Sequence, residues 1–178
     1  MSSNLGAMDH ERARDEVDRI VDAWENERPD LDLEPLHVFS RVSRLARLLE
    51  IARRKAFSTQ ALEAWEFDVL SALRRAGEPY ELNPGTLIEE TLVSSGTMTN
   101  RIDRLVAAGL VEREADSQDR RVVRVRLTPA GKVTVDAAMT HLLEFELEHL
   151  EPLAAKERRA LADHLRQLLL PFDTGENR

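Results

Sequence analysis

Between Asn83 and Thr128 the hydrophobic period of the chain changes twice, and few architectures accommodate that order. Asn83-Pro84 joins a good N-cap to a proline at the first helical position, which predicts a short helix to about Thr91. Val93-Ser94-Ser95-Gly96 then reads as a turn, with Ser94 placed to cap a second helix ending at Gly109. Two helices joined by a short glycine-containing turn form a helix-turn-helix. Leu110 to Ala115 and Val122 to Thr128 follow as β-rich runs around the polar loop Asp116-Ser-Gln-Asp-Arg-Arg121. Val123, Val125 and Leu127 alternate with Arg124 and Arg126, the period of a half-buried strand. The segment therefore predicts a helix-turn-helix followed by a β-hairpin with a basic tip.

Helical signals flank this unit on both sides. A first helix is expected from about Asp9 to Asn26, with Val17, Ile20, Val21 and Trp24 at helical spacing, and Arg28 to Pro35 as an extended link. Val38, Val42, Leu45, Leu49, Ala52 and Ala56 then step by four and three along a second helix, a seam suited to another helix. Residues 63 to 76 predict a third, closed by Gly77 at C′. Thr128-Pro129 caps a long helix to about Leu150, and a final helix carries Leu161, Leu165 and Leu168 until Pro171 stops it. So small a reading head cannot bury all these apolar stripes, so the terminal helices are expected to pair with a second copy. A monomeric helical bundle with a decorative hairpin is the alternative.

The fold class is thus mainly α with a small β-hairpin wing (α+β): a winged helix-turn-helix DNA-binding domain on an all-α dimerisation scaffold. The expected division is a tail at 1–8, N-terminal dimerisation helices at 9–58, the winged domain at 59–131, C-terminal dimerisation helices at 132–171 and a tail at 172–178.

Charge distribution bears on the partner. The net charge of −8 looks unfavourable for a ligand made of phosphates. However, residues 9–34 hold eleven Asp/Glu against four Arg, whereas residues 94–128 hold seven Arg against five acids. A basic patch can therefore exist on an acidic protein. No cysteine is present, which excludes a disulfide framework, a thiolate zinc site and a thiol redox sensor. No apolar run approaches the roughly 18–20 residues that span a bilayer, and residues 1–10 lack the marks of a secretion signal, so a cytoplasmic protein is expected. Nucleophile elbows, phosphate loops and metal-ligand clusters are not seen, so neither an enzyme, a metal site nor a cofactor is expected.

On a wheel of about 100° per residue, Met98, Ile102 and Leu105 share one face of the second motif helix. The opposite face carries Gly96, Thr97, Asn100, Asp103 and Arg104, flanked by Ser95 and Thr99. Early positions of a recognition helix enter the major groove, where Asn can pair with adenine and Ser or Thr can reach base edges. Thr97 and Asn100 are thus the expected base readers, with Ser95, Thr99 and Arg104 nearer the backbone. A merely solvated helix face would also account for these residue types.

From Phe67 to Lys132 the chain resembles the MarR (multiple antibiotic resistance regulator) family. The resemblance rests on Glu66-Phe-Asp-Val-Leu70, on Ser94-Ser-Gly-Thr-Met-Thr-Asn-Arg-Ile-Asp-Arg-Leu105, on Ala108-Gly-Leu-Val-Glu-Arg113, on Asp119-Arg-Arg121 and on Leu127-Thr-Pro-Ala-Gly131. It implies a two-fold homodimer bound to a pseudo-palindromic operator on double-stranded DNA, and repression relieved by a small ligand. It also places Arg120 and Arg121 at a wing tip in the minor groove, whose negative potential attracts arginine, with Asp119 holding one of them. The extra N-terminal helix is similar to that of the urate-responsive branch, which implies a ligand site at Trp24, Asp68, Arg75 and Arg101. Asp68 and Arg75 lie two turns apart on one helix face, and paired guanidiniums suit a flat anion. A structural ion-pair network is the plainer reading of an Asp with two Arg. A different effector, such as an aromatic carboxylate, or none, and an interaction protein that has lost DNA binding, are the alternatives.

Overall fold

The computed structural model describes residues 14–115 and 123–173. Among them the order is α1 (Glu16–Glu27), α2 (Glu34–Ser58), α3 (Ala64–Arg75), β1 (Glu81–Leu82), α4 (Pro84–Thr91), α5 (Ser95–Ala107), β2 (Val111–Ala115), β3 (Val123–Leu127), α6 (Pro129–His149) and α7 (Ala155–Asp173). The chain divides into two compact units, residues 1–51 and 52–178.

In the first unit the start of α1 is set by Asp15. Its carboxylate accepts from the backbone N–H of Val17 at 2.8 Å and of Asp18 at 3.1 Å, while Asp18 accepts from the Asp15 N–H at 2.9 Å. This reciprocal cap satisfies donors that a helix end leaves open. Consequently Arg14 and Asp15 precede the helix, which begins at Glu16 and not at the expected Asp9; residues 9–13 lie outside the described residues. Arg41 of α2 fastens the cap, donating to Asp15 at 2.8 Å and to Asp18 at 2.7 Å. Val17 and Val21 are buried, whereas Ile20 and Trp24 on the same helix are exposed. The link ends earlier than expected, because Asp32 accepts from the Glu34 N–H at 3.0 Å and Pro35 sits in the first helical turn, where no N–H is needed.

In the second unit Phe57, at the end of α2, stacks on Phe67 of α3 with ring centroids 4.2 Å apart. Leu70 and Leu73 of α3, Leu87 of α4, Met98, Ile102 and Leu105 of α5, Val111, Val125 and Leu127 of the sheet, and Val135 and Ala138 of α6 complete one buried cluster. The sheet is antiparallel in the order β1-β3-β2, with Glu81 opposite Arg126 and Val111 opposite Leu127. The sequence reading did not anticipate β1, whose two residues are too few to express a period. Gly77 takes φ +79° past the C-terminus of α3, as its expected C′ role requires.

Thr128 locks the sheet to α6. Its hydroxyl donates to the Gly109 carbonyl at 2.8 Å and accepts from the Gly131 N–H at 3.0 Å, and its own N–H donates to the Leu110 carbonyl at 3.1 Å. Gly131 passes so close to Leu110 that a Cβ there would lie 2.0 Å from the Leu110 carbonyl oxygen.

In α7, Pro171 lies inside the helix instead of ending it. With only two helical residues after it, the missing N–H removes one late hydrogen bond, which a final turn tolerates far better than a helix interior. No residue of α7 is buried: Leu161, Leu165, Leu168 and Leu169 are all exposed, as are Val38, Val42, Leu45 and Leu48 on α2. No helix among the described residues is long and apolar enough to cross a membrane.

Candidate nucleic-acid interface and effector crevice

The seating of α5 decides which of its residues are available. Met98, Ile102 and Leu105 are essentially inaccessible and anchor the helix in the core. Ser95, Gly96, Thr97, Thr99, Asn100, Asp103 and Arg104 are exposed, as the wheel predicts. The Ser94 hydroxyl accepts from the Thr97 N–H at 3.3 Å and lies 2.9 Å from the Thr97 hydroxyl. Thr99 donates its hydroxyl back to the Ser95 carbonyl at 3.1 Å.

Two braces position this helix, and the sequence reading identified neither. At the start of α3, Glu63 accepts from Arg104 at 2.6 Å and from the Trp65 indole N–H at 2.8 Å. The guanidinium of Arg104 lies 4.6 Å from the Trp65 ring centroid and that of Arg101 lies 5.4 Å from it. The hydrogen bond from Trp65, then that from Arg104, holds the Glu63 carboxyl below its ordinary range. On the other side Arg113 of β2 pairs with Asp103 at 2.6 Å and donates to the Thr99 carbonyl at 3.4 Å. The signal in the sequence was a Trp two residues after an acid at a helix start, which alone reads as core.

On the wing, Arg126 bonds Glu81 at 2.8 Å and Glu114 at 3.0 Å, and Arg124 lies 3.3 Å from Glu81. These strand arginines are thus neutralised within the sheet. Arg120 and Arg121, expected at the wing tip, and Asp119 lie outside the described residues.

Of the four residues expected to hold a ligand, Asp68, Arg75 and Arg101 lie in the second unit. Asp68 and Arg75 line one open crevice of about 310 Å³ together with Arg53, Ser71, Glu90 and Leu92. Asp68 pairs with Arg53 at 3.3 Å and Arg75 with Glu90 at 2.8 Å. Arg101 lines a second hollow, with Trp65, Thr97, Asn100 and Arg104. Trp24 belongs to the other unit, where it lines a shallow apolar surface with Ile20, Ala23 and Glu27. Among the described residues there is no group of His, Asp and Glu suited to hold a metal ion.

Comparison with known proteins agrees with this layout. A family model described as MarR family matches residues 62–122. The chain is 40% identical over 154 residues to the HTH-type transcriptional regulator PecS of Dickeya dadantii, which spans 86% of this chain and 90% of that protein. It is 32% identical over 151 residues to the HTH-type transcriptional repressor NicR of Pseudomonas putida, spanning 83% and 92% respectively. Among solved structures, a mutant MarR from E. coli complexed with operator DNA superposes with a TM-score of 0.65 at 25% identity, covering 77% of this chain and 96% of that one. With that degree of identity to PecS over nearly the whole of both chains, and the family model on the winged unit, the chain belongs to the MarR family.

Proposed function

We propose that two copies of this protein bind one pseudo-palindromic operator on double-stranded DNA and repress transcription from it. The observation that carries the reading is the division of α5: its apolar face is sealed in the core, while Ser95, Thr97, Thr99, Asn100 and Arg104 stand in solvent at the face that would meet a groove. Thr97 and Asn100 read base edges; Ser95, Thr99 and Arg104 contact phosphates; Arg120 and Arg121 enter the minor groove. The exposed leucines of α2 and α7 supply the dimer interface. Half-sites then lie about one helical turn, roughly 10 base pairs, apart. The protein works in the cytoplasm as a regulator and not as an enzyme.

A small planar anion releases the operator. Urate is the ligand we favour, on the resemblance carried by Trp24, Asp68, Arg75 and Arg101; the shared crevice of Asp68 and Arg75 supports the part played by these two. Gel shifts with a duplex selected from random DNA test both statements. Binding is expected to weaken steeply with salt, as phosphate neutralisation demands. Urate is expected to release the wild-type protein and to leave Arg75→Ala bound; an equal response from both would remove the effector assignment.

A further inference from the structure

The two arginines that brace α5 are held in different ways. Arg113 of β2 has two acceptors on the helix, the Asp103 carboxylate at 2.6 Å and the Thr99 carbonyl at 3.4 Å, and so ties strand to helix. Arg104 donates through Nη2 alone, to Glu63 Oε1 at 2.6 Å, which leaves its Nε–H and Nη1–H donors to spare. Glu63 is the more committed partner, because its second oxygen accepts from the Trp65 indole N–H at 2.8 Å. Both side chains of the pair are more than half exposed. An ion pair as open to water as this changes an equilibrium by roughly fivefold at most.

The helix does not depend on that pair for its seat. Met98, Ile102 and Leu105 are sealed in the core, and Arg113 holds the side facing the wing. The face that Arg104 shares with Thr97 and Asn100 borders a hollow of about 570 Å³, whose other lining residues include Glu63 and Trp65. A carboxylate therefore stands beside the surface that meets DNA, on a cation assigned to DNA phosphate.

Resting on the DNA-binding reading above and on the phosphate contact given there to Arg104, we infer that Glu63 is a phosphate mimic: it holds Arg104 in the free protein and yields it to the operator backbone. A carboxylate and a phosphate offer a guanidinium the same paired acceptors, so one can replace the other. Arg104 turns to the phosphate while staying over the Trp65 ring, 4.6 Å away, a contact that needs no carboxylate. Glu63 keeps the indole N–H and takes water on its freed oxygen, so no buried charge is stranded. Operator affinity is then lower than an unpaired Arg104 would give, and Glu63 sets it as a positioning residue, acting through Arg104.

The test titrates the full-length protein into a labelled duplex selected from random DNA, over a series of salt concentrations. Arg104→Gln is expected to weaken binding roughly tenfold and to lower the salt slope by about 0.9, as loss of one phosphate contact requires. Glu63→Asp keeps the charge and is a favoured N-cap for α3, but is one methylene short of Arg104. It is expected to tighten binding roughly threefold, and Glu63→Gln roughly fivefold. In the Arg104→Gln background Glu63→Asp is expected to have no effect. Simple repulsion between Glu63 and DNA predicts instead that Glu63→Gln tightens binding while Glu63→Asp matches the wild type, and that result refutes the exchange. Weaker binding by Glu63→Asp, or equal tightening with and without Arg104, refutes it as well, while the phosphate contact of Arg104 stands. If Arg104→Gln matches the wild type in affinity and slope, the phosphate contact falls and the exchange with it; a wild-type protein that binds no duplex removes the DNA-binding reading itself.

Discussion

Replacing Gly131 by alanine probes the joint between the sheet and α6. Alanine in a helix interior ordinarily stabilises, by up to about 1 kcal/mol over glycine. Here the added Cβ would meet the Leu110 carbonyl oxygen at 2.0 Å and its carbon at 2.9 Å, with Leu127 Cδ2 at 3.2 Å. The first two obstacles are backbone and cannot rotate aside, so relief requires the start of α6 to move away from the residues that lead into β2. Overpacking of this kind costs about 3 kcal/mol at the upper end of its usual range. The movement also pulls Thr128 from the Gly109 or Leu110 carbonyl, at about 1 kcal/mol for one such bond. The clash outweighs the propensity gain, and the net loss is about 3 kcal/mol. For a chain of this length that lowers Tm by roughly 6–12 °C. Melting must be compared at matched protein concentration, because dimerisation shifts Tm. Gly96→Ala is the control: nothing lies within 4 Å of its Cβ, so its stability should stay within about 1 kcal/mol of the wild type. A Tm for Gly131→Ala equal to or above that of the wild type would refute the close approach.

Asn100→Ala is expected to cost about 1–3 kcal/mol of operator affinity and to relax base preference at a single position, read by binding to a mismatch series; a uniform loss over all sequences would make Asn100 a phosphate contact. Leu165→Glu, on the exposed stripe of α7, is expected to shift the protein from dimer to monomer in sedimentation, and an unchanged dimer would move the interface elsewhere. In the first unit the backbone N–H of Asp15 and then Arg41 hold the Asp18 carboxyl below its ordinary value of 3.8. A depressed carboxylate stabilises the folded state above its unfolded pKa and loses that contribution as pH falls through its folded pKa. Protection of the α1 amides against hydrogen exchange should therefore be level from neutral pH to about 5 and decline on acidification below 3.8, with Arg41→Ala flattening the decline; a decline already complete at pH 6 would point to another group.

Much of this structure was legible in local signals that tertiary packing did not override. Asn83, Ser94 and Thr128 each cap the helix expected of them, because the side-chain oxygen answers a backbone donor within three residues and needs no distant partner. The exposed and buried faces of α5 followed from helical period alone. What escaped was whatever depends on a distant partner. Strand β1 exists because Glu81 and Leu82 meet β3 across the unit, and its two residues carry no pattern of their own. The Glu63–Trp65–Arg104 brace joins residues about forty positions apart, so spacing could not reveal it. The hollow that Arg101 borders was hidden for the same reason: the wheel placed Arg101 beside the apolar face of its helix, but only the fold brings Trp65 of α3 against that edge.

The central claim is that two protomers present paired winged helices to one duplex, and sedimentation equilibrium of the full-length protein with a labelled selected duplex tests it most directly. A dimer at micromolar concentration is expected, with a complex of two protomers per duplex that dissociates as salt is raised. A monomer that binds one per duplex, or no complex even at low salt, would contradict it.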